Sequence, residues 1–250
     1  MIEIKDLHKA FEENKVLCGI NCTISDVDTF VIVGRSGIGK SVLLKCITGL
    51  ITPDRGEVFI DGESITRASR ADLLRLRQKI GMLLQEGALF DSMTVAENVA
   101  FPLHYHRIYP PATIEKKVNY FLELVEMADY RDAFPNQLSG GMKRKVAVAR
   151  AMILEPRYLL YDEPTSGLDP SSAGVVEALI LKLRNEMKIT SLIVTHDLDL
   201  ARYVGEHIAL LEDGRLTAIL VKDQAFGPDS PIFKHFVYNR ERVHQQHGYN

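Results

Sequence analysis

Gly34-Arg35-Ser36-Gly37-Ile38-Gly39-Lys40-Ser41 lies between an apolar run, Phe30-Val31-Ile32-Val33, and a helical pattern, Val42-Leu43-Leu44-Lys45-Cys46-Ile47. Strand, glycine loop, lysine, hydroxyl and helix in that order make a phosphate-binding loop. Its glycines let successive backbone N–H groups turn inward around an anion with no Cβ in the way. The helix that starts near Lys40 points its positive end at the same place. In such a loop the lysine reaches the β/γ oxygens and the hydroxyl of Ser41 coordinates Mg²⁺. The stretch therefore implies a site for a nucleoside triphosphate on an α/β sheet.

Further along the chain, Arg157-Tyr158-Leu159-Leu160-Tyr161-Asp162-Glu163 is an apolar strand that ends in two carboxylates. A buried parallel strand delivers its C-terminal residues to the ligand crevice. There Asp162 is expected to bind Mg²⁺, directly or through water, and Glu163 to face an attacking water. Ser191-Leu192-Ile193-Val194-Thr195 is a second buried strand, followed by His196. That histidine reads either as a γ-phosphate contact or as a structural side chain. Gly81-Met82-Leu83-Leu84 is a third strand, ending at Gln85, whose amide reads as a surface terminus or as a group beside the metal or water. Phe11, in a polar connection between two N-terminal strands with turn material at Asn14-Lys15, is equally an edge core residue or a ring for an adenine base.

Between Asp91 and Arg150 the texture turns helical. Thr94-Val95-Ala96-Glu97 has capping-box form and predicts a helix that ends before Pro102. Ile114, Val118, Phe121, Leu122 and Val125 make an amphipathic stripe. Leu138-Ser139-Gly140-Gly141-Met142 then opens a basic helix; Ser139 is an N-cap residue, and the exposed N–H groups suit an anion or simply begin a solvated helix. This block reads as a helical lobe inserted between sheet segments. Ile208–Leu211 and Leu216–Val221 predict a closing hairpin. Past Gly227-Pro228, a tail from about 226 to 250 keeps the apolar cluster Ile232, Phe233, Phe236 and Val237.

Composition narrows the classes. The chain has 250 residues, 46% hydrophobic and 25% charged, with a net charge of −3. That balance gives no field attracting nucleic acid. No apolar run exceeds four residues, which excludes a membrane-spanning helix. Cys18, Cys22 and Cys46 have no metal-ligand spacing and suit a reducing cytoplasm as packing groups.

Taken in order, the phosphate loop, Gln85, the 138–142 stretch, the Asp162-Glu163 strand end, the Gly167-Leu168-Asp169 turn and His196 resemble the ATP-binding cassette (ABC) ATPases from about Met1 to Val221. The resemblance implies a RecA-like mixed sheet core with an antiparallel β subdomain and an inserted helical subdomain, the ATPase domain spanning about 1–225. It implies ATP and Mg²⁺ as ligands, with Phe11 stacking on adenine and Ser41, Gln85 and Asp162 at the metal. Glu163, His196 and Gln85 become the catalytic set. Ser139, Gly140 and Gly141 resemble the signature that meets the γ-phosphate of a second copy, so two ATPs would be sandwiched head to tail. Met142 departs from the glutamine usual there.

Gly87-Ala88-Leu89-Phe90-Asp91-Ser92 is similar, within that family, to ATPases of MCE-type phospholipid transporters that maintain lipid asymmetry. That similarity implies a permease in the inner membrane, an MCE substrate-binding protein beyond it, a STAS-domain subunit, and a peripheral place on the cytoplasmic face. The alternatives are an ATPase serving another solute and a non-transport cassette protein.

Overall fold

The computed structural model describes residues 1–84, 87–107 and 109–234. Strands β1 (Ile2–Phe11), β2 (Asn14–Ile24), β4 (Arg55–Ile60) and β5 (Glu63–Ser64) form an antiparallel sheet in the order β2-β1-β4-β5. The turn between β1 and β2 is Glu12-Glu13, because Phe11 pairs with Asn14. Asn14 and Lys15 therefore belong to β2, and the turn lies two residues before the place composition gave it. Glu12 takes the left-handed conformation (φ 54°) that this tight hairpin needs.

The second sheet runs β10-β9-β3-β8-β7-β6. Its members are β3 (Thr29–Val33), β6 (Ile80–Leu83), β7 (Tyr158–Asp162), β8 (Thr190–Thr195), β9 (His207–Glu212) and β10 (Arg215–Val221). Neighbours are parallel except for the β9–β10 hairpin. Every residue of β3, β7 and β8 is buried, as apolar runs covered on both faces require. Side chains alternate between two cores. Phe30 and Ile32 join the antiparallel sheet and α1 (Lys40–Ile47), while Val31 and Val33 join the helical layer. Burying each large apolar side chain contributes about 1.5–3 kcal/mol.

The helical layer comprises α3 (Val95–His106), α4 (Pro111–Leu124) and α5 (Gly140–Met152), between β6 and β7 in the chain. The stripe on α4 is buried as its spacing requires: Ile114, Val118, Phe121 and Leu122. Thr94 and Glu97 form the capping box at the start of α3. That helix does not stop at Pro102 but carries it inside. A proline there costs about 3 kcal/mol locally, and the fully buried Val95, Val99 and Leu103, three large side chains on one face, outweigh it.

Helix α2 (Arg70–Gln78) starts at the Ser69 cap, and α6 (Pro170–Met187) at the Asp169 cap. Two short helices follow, α7 (Leu198–Val204) and α8 (Lys222–Ala225). Ile232 is fully buried in the chain's own core, whereas Phe233 is exposed. Phe236 and Val237 lie outside the described residues.

All three cysteines are free thiols. Burial pushes Cys22 up to about 12 and Cys46 up to about 11. Just before β3, the Asp28 carboxyl is also pushed up by burial, although His207 Nδ1 lies 2.8 Å from it. Among the described residues no helix is long and apolar enough to cross a membrane.

Candidate active site

The C-terminal ends of three adjacent strands, β3, β8 and β7, meet at one edge of the sheet. From β3 the chain enters Gly34 and turns through Gly37 (φ 78°) and Gly39 (φ 110°) into α1. Gly39 has to be glycine: a Cβ there would stand 2.5 Å from Val16 Cγ1. Arg35, Ser36 and Gly37 are exposed on the loop, whereas Lys40 is buried. The Lys40 ammonium curls back and donates to the Gly34 carbonyl at 2.7 Å and the Arg35 carbonyl at 2.9 Å. It also lies 3.1 Å from Glu163 Oε1.

β7 brings in the two acids. Asp162 Oδ1 accepts the Ser41 hydroxyl at 2.8 Å. Burial raises the Asp162 pKa, the Ser41 hydrogen bond opposes that, and the charge on Glu163 adds to it. Glu163 takes a left-handed backbone (φ 49°), with its N–H on the Val194 carbonyl at 2.9 Å. Its Oε2 accepts the Thr195 hydroxyl at 3.1 Å and the His196 N–H at 3.2 Å, and lies 2.9 Å from His196 Nδ1. Thr195 is a site residue that sequence reading passes over. Its signal is its place as the last residue of β8, directly before His196.

Phe11 ends β1 and is 45% exposed, so it is not an edge core residue. It lines a cleft of about 310 Å³ with Val16, Ser36, Lys40, Glu163 and His196. The sequence-predicted residues Gly37, Gly39 and Ser41 border the same cleft, with Ser166. Gly34, Arg35, Ile38 and Asp162 do not line it. Gln85 lies outside the described residues.

Ser139, Gly140 and Gly141 do not line this cleft. Ser139 caps α5 by accepting the Met142 N–H at 3.3 Å. Ser139 and Gly140 are exposed. A Cβ on Gly140 would meet Leu168, and one on Gly141 would meet Ser172, each at 3.0 Å. Any larger residue here would press on the turn that follows β7 or on the start of α6.

The residues suit a magnesium nucleotide. An ammonium at the base of a glycine loop matches phosphate oxygens, and the Ser41–Asp162 oxygen pair matches a hard cation. Among the described residues no three His, Cys, Asp or Glu side chains gather around a metal position. A cation held by Ser41 and Asp162 would therefore complete its shell with phosphate oxygens and water, the habit of Mg²⁺.

The sequence profile described as "ABC transporter" matches residues 17–166. The methionine import ATP-binding protein of Carboxydothermus hydrogenoformans is 42% identical over 241 residues, covering 95% of this chain and 71% of that protein. The protein of the same name from Legionella pneumophila (strain Lens) is 37% identical, covering 95% of this chain and 70% of its own length. Among solved structures, the dimeric ATP-binding cassette MJ0796, in a post-hydrolysis state bound to ADP and Pi, is 33% identical with a TM-score of 0.80. That match covers 89% of this chain and 99% of MJ0796. The cbiO1 protein of Clostridium perfringens, part of the ABC transporter complex cbiONQ, has a TM-score of 0.84 at 27% identity over 99% of this chain and 98% of its own. The phosphate loop, the acid pair at the end of β7 and these likenesses converge: the chain belongs to the ABC transporter family, as an ATP-hydrolysing subunit.

Proposed function

We propose that this subunit hydrolyses ATP in a head-to-tail pair of identical chains and so drives a docked membrane permease. The observation that carries this reading is the placement of Lys40, Asp162, Glu163 and His196 at three adjacent strand ends, with Ser139 and Gly140 exposed elsewhere on the same chain. The similar cassette MJ0796 is a dimer in its solved structure, which supports pairing here.

The chain's residues divide the work. Phe11 offers a flat apolar face for the base. The N–H groups of residues 35–41 and the Lys40 ammonium hold the β/γ phosphates. Ser41 and Asp162, with Gln85 expected beside them, would hold Mg²⁺, which would supply neutralising charge to the transferring phosphoryl group. Glu163 orients the attacking water and accepts its proton. His196 and Thr195 fix the Glu163 carboxylate through Oε2, while Oε1 lies 3.1 Å from the Lys40 ammonium. Ser139, Gly140 and Gly141 of one copy close over the nucleotide of the other.

For the permease, Phe90 is 41% exposed and Tyr105 66% exposed. Both pack against Phe101, which lines a groove of about 830 Å³ with Met93, Ala96, Ile114, Glu115 and Arg131. Exposed aromatic residues beside such a groove suit a partner helix. Phe90→Asp is expected to release the chain from its membrane complex while sparing nucleotide binding.

For the cargo, the relatives named above are methionine importers, and they favour a small solute of that kind over a phospholipid. The lipid reading, with its MCE and STAS partners, rests on the likeness of residues 87–92, with residues 99–103 and 160–164 fitting the same subgroup. Purifying the complex from detergent-solubilised membranes decides between them. Recovery of a permease whose ATPase is stimulated by methionine or a similar solute supports the first. Recovery with an MCE protein and bound phospholipid overturns it in favour of the second. A soluble nucleic-acid complex rejects both.

A further inference from the structure

Helix α5 does more than present Ser139–Gly141 at its start. One turn in, Arg144 is only 5% exposed. Its Nη1 donates to the Leu84 carbonyl at 3.0 Å and its Nη2 to the Ser166 carbonyl at 3.3 Å. Leu84 follows the last residue of β6, and Ser166 stands three residues after Glu163 in the turn behind β7. The Ser166 N–H in turn bonds the Glu163 carbonyl at 3.2 Å. One planar guanidinium therefore spans the segments that follow β6 and β7, and β7 carries Asp162 of the candidate site at its end. The same turn is pressed on α5 again where Gly140 meets Leu168 and Gly141 meets Ser172.

α5 does not depend on Arg144 to stay in place. Val146, Ala147, Val148, Ala149 and Met152 are all buried in the core. Farther along, Arg150 holds the carbonyls of Gly87 and Ala88 at 2.7 and 2.8 Å. Removing Arg144 would leave the helix seated and take away the one fork that holds the Leu84 and Ser166 carbonyls together. A lysine could not replace it, since a single ammonium lacks the rigid fork that reaches two carbonyls at once.

We propose that Arg144 is a positioning residue that couples the two halves of the divided site. It fixes the segments flanking a chain's own nucleotide to the helix whose first turn serves the partner's nucleotide. The proposal rests on the two-copy reading above. Closure around one nucleotide is then transmitted through α5 to the other.

The test uses the full chain in the Glu163→Gln background, with Mg²⁺ and ATP. Dimerisation is followed by sedimentation, nucleotide affinity by a fluorescent ATP analogue, and folding by thermal melting. Arg144→Ala is expected to raise the chain concentration needed for half-dimerisation tenfold or more. ATP affinity should stay within about twofold. Arg144→Lys should not restore dimerisation, and Lys145→Ala, whose partner Glu126 lies on the surface, should match the background. Unchanged dimerisation of the Arg144→Ala chain overturns the proposal alone. So does loss of ATP affinity in step with dimerisation, or full rescue by lysine. If Arg144→Ala does not fold, Arg144→Lys carries the same comparison. Failure of Glu163→Gln by itself to dimerise overturns the two-copy reading, and this proposal with it.

Discussion

Replacing Glu163 by glutamine keeps the shape of the side chain and removes its charge, which separates three effects. The first concerns Lys40. Its ammonium stands 3.1 Å from Glu163 Oε1, and both groups are buried. At an effective dielectric constant near 20 the Coulomb attraction at that distance is about 5 kcal/mol before desolvation is subtracted. Breaking a buried pair from one side typically costs about 3–5 kcal/mol. Because Lys40 keeps two carbonyl partners, the loss in nucleotide-free stability belongs at the low end of that range. The second effect is on binding. Freed from Glu163, the ammonium has more to offer an incoming phosphate, so ATP affinity is retained or increased. The third is on turnover, which should fall about 10²–10⁴-fold, the usual weight of a positioned base. Phosphate release at saturating ATP, nucleotide titration, and denaturant unfolding with and without ATP measure the three. Turnover within tenfold of the unmodified chain, or weakened ATP binding, refutes the roles given to both residues.

Lys40→Ala should abolish productive ATP binding, seen as loss of nucleotide-dependent protection in a thermal melt; an unchanged affinity would contradict it. Ser139→Arg, placed in the Glu163→Gln background, should block ATP-driven dimerisation while the monomer still binds nucleotide. Sedimentation with ATP reads this directly, and persistent dimers would reject a divided site. Asp28 gives a pH prediction. Burial raises its folded pKa above the ordinary 3.8, so its contribution to stability is complete below that value. It is lost as pH rises through the raised folded value. Asp28→Asn, which cannot ionise, should therefore gain stability relative to the unmodified chain between acid and neutral pH. Denaturant unfolding at both ends of that window checks the sign, and a gain confined to low pH would reverse it.

The phosphate loop was legible in the sequence because its chemistry is local: glycines, lysine and hydroxyl act within eight consecutive residues. The buried strands were legible too, since β3, β7 and β8 are covered on both faces and so read as continuous apolar runs. Helix α3 was misjudged at Pro102. A local rule places a break there, but the packing of Val99 and Leu103 that overrides it depends on residues far away in the chain. Phe11 stayed ambiguous for the same reason: spacing cannot tell an exposed hairpin end from a covered edge. Thr195 and Arg144 act on partners 32 and 60 residues distant, separations that no motif spans. The cargo was the least legible element. Residues 87–92 drew the reading toward lipid, whereas the two curated relatives named above are methionine importers.

The thiols have a practical consequence. Cys22 and Cys46 are buried and their pKa values are raised far above neutrality, so almost none of either is thiolate at pH 7, the form that reacts with maleimides. Only Cys18, half-buried against Gly214, competes for such a reagent. Changing that one residue leaves a background in which a single cysteine placed on the exposed face of α3 or α5 takes a fluorophore or spin label selectively. Distances between two such labels, one on each copy, would follow closure of the pair through the ATP cycle with both core thiols left as they are.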